Sequence, residues 1–141
     1  MIVVAAVDRS EQASEVVTEG EFLATALDVP LHVVHVLSNS KFRKMEQTSY
    51  EETGQPAPMD EVKQFASQHA ADVATDVADE YTPVGLVGEA SQMVTEYAER
   101  NDARYVVVGG RKRSPTGKAL FGSVAQSILL NADCPVVSTI R

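Results

Sequence analysis

The chain has 141 residues, with 20 Asp and Glu against 12 Lys and Arg, a formal charge of -8, 44% hydrophobic residues and one cysteine. That length suits a single domain over 1–141 with a sizeable core, and no run of about 18 apolar residues exists that could cross a membrane as a helix. The acid excess argues against a broad nucleic-acid surface, which needs Lys and Arg gathered on one face.

Met1-Ile2-Val3-Val4-Ala5-Ala6 lacks the basic start and long apolar stretch of a signal peptide. The lone Cys134 cannot form an internal disulfide, so a cytoplasmic protein is expected. Ile2 to Val7 is a continuous apolar run of strand length, as are Leu31 to Leu37, Tyr105 to Val108 and Pro135 to Ile140, while Thr82 to Val87 makes a further short strand. Uninterrupted apolar strands are what a parallel sheet covered on both faces requires.

Between the strands lie segments with helical period. After Ser10, a good N-cap, Ala13, Val16, Val17, Leu23, Ala24 and Leu27 keep one face apolar. Asp60 to Asp79 repeats the pattern through Val62, Phe65, Ala66, His69, Val73 and Val77. Glu89 to Asn101 and Ser123 to Ala132 supply two more helices. The stretch 38–59, with Asn39, Ser40, Gly54, Pro56 and Pro58 among Lys41, Arg43 and Lys44, has no sustained period and reads as a mobile loop or a short helix with loose ends. Strand and helix therefore alternate, which predicts an α/β fold: an open, doubly wound, Rossmann-like sheet of five parallel strands with right-handed crossovers and four helices. The expected strand order is 3-2-1-4-5.

Charge is not spread evenly along these elements. Residues 1–102 carry 19 acids and 6 bases, whereas 103–141 carry Asp133 and 6 bases. Four of those bases, Arg111, Lys112, Arg113 and Lys118, lie in the loop from Gly109 to Ser123, which also holds all the glycines of that segment. Ligands of open α/β sheets sit at the carboxyl ends of the strands where strand order reverses, and this loop and Asp8-Arg9-Ser10 both belong there. Gly109, Gly110 and Gly122 allow positive φ and close backbone approach, and Ser123 starts a helix whose free N–H groups favour phosphate. Asp8 can accept from ribose hydroxyls, a division of labour that suggests a nucleotide. Singly, each feature has a plainer role as turn, cap or solvated charge; their convergence on one end of one sheet is what points to a ligand.

Other chemistries fit less well. Gly117-Lys118 is followed by Ala119 instead of a Mg²⁺-binding hydroxyl, so no P-loop is present, and no G-x-G-x-x-G follows the first strand. His32 and His35 fall on opposite faces of a strand and His69 on a helix face assigned to the core, which disfavours a metal cluster.

Taken together, Ile2-Val3-Val4-Ala5-Ala6-Val7-Asp8-Arg9-Ser10, His35-Val36, Val87-Gly88-Glu89-Ala90, Val106-Val107-Val108-Gly109, Gly122-Ser123-Val124-Ala125 and Cys134-Pro135-Val136-Val137 resemble the universal stress protein family over nearly the whole chain. Its ATP-binding branch carries G-x2-G-x9-G-[ST]; here Gly109, Gly122 and Ser123 match, and Lys112 stands where the second glycine is expected. The resemblance implies an adenine ring at Ala6 and Val7 bonding the Val36 backbone, with Asp8 on the ribose. It implies a triphosphate along Gly109, Gly110 and Arg111, beyond Val108, and at Gly122, Ser123 and Val124. ATP, AMP or ADP would be the ligand, accompanied by Mg²⁺ for which no protein ligand is evident. A homodimer through Val136 to Ile140 is implied as well. No general base is placed for attack, so the expected role is regulatory, in the stress response, with at most slow ATP hydrolysis. The alternative is a nucleotide-free interaction module of the same fold, which Lys112 favours.

Overall fold

The computed structural model of the chain describes residues 1–113 and 119–140, with the backbone alone described at 111–113, 119 and 120. Five parallel strands form the sheet: β1 (Ile2–Ala6), β2 (Leu31–Leu37), β3 (Thr82–Val87), β4 (Ala103–Gly109) and, numbered last in the chain, β7 (Val136–Thr139). Their order is β3-β2-β1-β4-β7, the expected 3-2-1-4-5. The helices are α1 (Ala13–Leu27), α2 (Asn39–Thr53), α3 (Met59–Ala74), α4 (Ala90–Arg100) and α5 (Ser123–Asn131). A small antiparallel ladder of β5 (Arg111–Arg113) and β6 (Ala119–Leu120) lies within the basic loop.

The unbroken valine runs have a direct cause. Val3, Ala5, Val33 and Val107 face one core together with Val16, Val17 and Ala24 of α1 and Ala70 and Ala74 of α3. Their chain neighbours Val4, Val34, Val106 and Val108 face a second core with Val94 and Ala98 of α4 and Ala125 and Ile128 of α5. Each strand is thus apolar on both sides, and burying each valine contributes about 1.5–3 kcal/mol.

Helix count differs from the sequence expectation: five among the described residues, not four. The additional helix is α2, inside the stretch read as a loop. It buries no residue fully, touching a third apolar cluster of Leu37, Val62 and Ala66 only through the partly buried Phe42 and Met45. So narrow an apolar stripe leaves almost no period in the sequence. Ser38 caps its start by accepting from Lys41 N–H, and Gly54, at φ 73°, ends it in the left-handed conformation. A shorter correction concerns α3, which stops at Ala74, and its Phe65, which is half exposed instead of buried.

Close packing also has a glycine signature. A Cβ on Gly85 of β3 would lie 2.0 Å from the Lys63 carbonyl oxygen and 2.4 Å from the Ser67 nitrogen, so α3 can press its backbone on β3 only there.

Candidate functional site

β1 and β4 are adjacent in the sheet, but the chain leaves β1 for α1 on one face and reaches β4 from α4 on the other. A crevice opens where the connections diverge. It forms a cavity of about 740 Å³, within the usual range of roughly 300–1,000 Å³ for small-molecule sites. Ala6, Val7 and Asp8 line it from the end of β1, Val36 from β2, Val108, Gly109 and Gly110 from the end of β4, and Gly122, Ser123 and Val124 from the start of α5. These predicted residues share one cavity although they come from four separate parts of the chain. The side chain of Arg111 lies outside the described residues, as do those of Lys112 and Arg113 and the whole of Lys118.

The α5 wall is made of backbone. Gly122, the N-cap, is extended at φ -69° and ψ 164°, and its lack of a side chain leaves the helix start with no side-chain cap. The first intrahelical bond runs from Gln126 N–H to the Gly122 carbonyl, and among the described residues no side chain accepts from the first-turn N–H groups, which suits them to an outside acceptor. One expectation needs correction. Gly109, Gly110 and Gly122 do not adopt positive φ; among the described glycines only Gly54 and Gly88 do. Gly109 and Gly110 instead serve close packing. A Cβ on Gly109 would stand 3.3 Å from Val16 Cγ2, and one on Gly110 would stand 2.9 Å from Ile140 Cγ1 and 3.0 Å from the Thr139 carbonyl. Gly110 N–H donates to that same carbonyl, tying the start of the loop to β7.

The β1 wall is made of side chains. Asp8 is exposed, and its Oδ1 accepts from Ser10 N–H at 2.9 Å. Ser10 therefore acts as a backbone donor, while Gln12 stands at the N-cap of α1 without a side-chain cap. Two residues with no predicted role flank Asp8. His35 Nδ1–H donates to the Val7 carbonyl at 2.9 Å, and His69 Nε2–H donates to the Asp8 carbonyl at 2.8 Å. The rings meet edge to face with centroids 4.3 Å apart. Burial pushes the His35 pKa down, with His69, Arg9 and Lys41 adding to that and the Val7 carbonyl opposing it.

His32 and His35 do lie on opposite faces. His32 Nδ1 is 2.6 Å from the Tyr97 hydroxyl of α4, on the other side of the sheet from His69. The sequence signal for His35 was a polar residue interrupting the apolar run Val33-Val34-His35-Val36-Leu37; its pairing with a residue 34 positions away had none. Among the described residues no three His, Cys, Asp or Glu stand together to hold a metal ion. Cys134 is half buried, and its thiol is pushed up in pKa by burial and then by Asp133.

Strand order, cavity and glycine-bearing loop define a specific subgroup of α/β folds. The sequence pattern of the universal stress protein family matches residues 1–139. The chain belongs to this family. A solved universal stress protein from Archaeoglobus fulgidus is 31% identical with a TM-score of 0.69, over 98% of this chain and 97% of that one. Another from the same organism, solved in complex with dAMP, is 25% identical with a TM-score of 0.66, over 98% and 96%. A universal stress protein of Methanocaldococcus jannaschii is 26% identical over 138 residues, covering 92% of this chain and 76% of its own. Nucleotide binding thus occurs within the family to which this fold belongs.

Proposed function

We propose that the protein binds an adenine nucleotide, ATP or its AMP and ADP products, in the cavity between the ends of β1 and β4, and that it acts as a regulatory protein of the stress response. The observation that carries this reading is the pairing of two unlike walls across one cavity of about 740 Å³. On one side stands the uncapped start of α5, with N–H groups and a helix dipole that favour phosphate. On the other stands the Asp8 carboxylate, suited to ribose hydroxyls and unsuited to phosphate. Ala6, Val7 and Val36 offer apolar surface and backbone groups for a purine between them. The dAMP held by the A. fulgidus relative supports the same ligand class.

Mg²⁺ would be carried by the phosphate oxygens, since the described residues provide no cluster of ligands for it. The proposed assembly is a homodimer through β7, whose outer edge pairs with no other strand among the described residues. Leu130 of α5, 76% exposed, is an apolar side chain that a second copy could cover. A cytoplasmic location fits the half-buried, unpaired Cys134.

Mass spectrometry of nucleotide released from the purified protein, with calorimetric titration of ATP, ADP and AMP, tests the ligand. Retained adenine nucleotide or micromolar binding is expected. The absence of both would overturn the reading in favour of the nucleotide-free interaction module that Lys112 favours. For the assembly, light scattering should give twice the chain mass of 15.2 kDa, and the single-chain mass would overturn it.

A further inference from the structure

We propose that His35 and His69 act as a positioning pair that fixes the chain just beyond β1 and thereby aims the Asp8 carboxylate at the ribose. This rests on the nucleotide reading above and deepens it. The last ladder bond at this point runs from Val7 N–H to the Val34 carbonyl, at 2.9 Å. Beyond it the chain leaves the sheet, and the next two carbonyls are taken by imidazoles: Val7 by His35 of β2, and Asp8 by His69 of α3. One loop is therefore fastened to a strand and to a helix at successive residues.

The chemistry is specific. A carbonyl only accepts, so the proton must sit on Nδ1 of His35 and on Nε2 of His69, and each ring is held in one tautomer and one orientation. The edge-to-face contact at 4.3 Å lets each ring restrict the other. His35 is buried, and the charged or titratable groups bearing on it are His69 from α3, Arg9 from the loop itself and Lys41 from α2. Burial first, and then these three groups, disfavour a charge on His35, with the Val7 carbonyl opposing them. The Arg9 guanidinium lies over the Phe65 ring, 5.9 Å from its centroid. Asp8 is then left with Oδ1 on Ser10 N–H, and with Oδ2 accepting from no described residue and available to a hydroxyl.

His69 is the better residue to test, because it is only partly buried and its loss leaves no large hole. His69→Leu removes the donor, whereas His69→Gln keeps an N–H near the position of Nε2. Calorimetry would compare ATP with 2′,3′-dideoxy-ATP, which has no ribose hydroxyl for Asp8. His69→Leu is expected to weaken ATP about five- to tenfold, the effect of one lost hydrogen bond, while changing dideoxy-ATP less than about twofold. His69→Gln should restore most of the ATP affinity. Equal losses for both nucleotides, or no loss for either, would overturn the pair as a positioning device. A nucleotide-free measurement separates this from the function itself: exchange of the Ser10 amide, followed by NMR in the apo protein, should quicken in His69→Leu and not in His69→Gln. Unchanged exchange overturns the proposal even if the protein binds no nucleotide, and quickened exchange supports the pair even then.

Discussion

At the end of β1 the chain is held by side chains, with His35, His69 and the Asp8 carboxylate each closing a hydrogen bond. Across the cavity, at the end of β4 and the start of α5, the chain is held by the absence of side chains: Gly109 and Gly110 pack against α1 and β7, and Gly122 leaves a helix start uncapped. The first wall is finished in the free protein, apart from one carboxylate oxygen. The second wall presents first-turn helix donors without a side-chain acceptor among the described residues, which is the condition for recognising an anion. Selectivity for the sugar and affinity for the phosphate are thereby assigned to different parts of the chain, and each is open to separate attack.

The scale for a glycine that serves packing alone is set outside the site. Gly85→Ala drives a Cβ into the Lys63 carbonyl, and should cost more than about 3 kcal/mol by urea unfolding, with β3 and α3 forced apart. Gly122→Asp sharpens the contrast most. Its φ of -69° suits any residue, and a carboxylate there caps α5, so stability should rise by a few tenths of a kcal/mol while ATP affinity falls more than about tenfold through like-charge repulsion. Loss of stability, or retained affinity, would break the assignment of phosphate to this wall.

The β1 wall should respond more gently and with a different dependence. Asp8→Asn keeps an acceptor for Ser10 N–H and removes the charge, so ATP should weaken about tenfold in calorimetry. His35 gives the pH dependence. Its folded pKa lies below the ordinary 6.5, so below that pH the unfolded chain binds the proton more readily and stability falls as pH falls toward the folded value. Replacing it by Asn should remove that part of the loss between neutral pH and pH 5, followed by denaturation midpoints. The smallest effect belongs to neither wall. Cys134, with its thiol pushed up, should react with iodoacetamide at neutral pH more slowly than free cysteine.

The strands were legible because a doubly covered strand must be apolar at every position, and Val3-Val4 and Val33-Val34 supply neighbours for opposite cores. Asp8 and the Gly109–Ser123 loop were legible because the end of a parallel strand is where such a fold meets ligands. The His35–His69 pair was not, because a hydrogen bond between elements leaves no local period. Nor were the reasons for Gly109 and Gly110 legible, since the φ of a glycine and the neighbour it admits are properties of packing. α2 escaped because Phe42 and Met45 are nearly its whole apolar stripe.

That thin stripe has a consequence for how the molecule comes apart. Nothing in α2 is fully buried, its hydrogen bonds are local, and Lys41, Arg43 and Lys44 sit in its first half. Lifting it uncovers only Leu37, Val62 and Ala66 and leaves both cores and every sheet bond in place. Trypsin should therefore nick the folded protein first in this helix, and the two fragments should stay together as one particle, joined by a sheet that the cut does not reach.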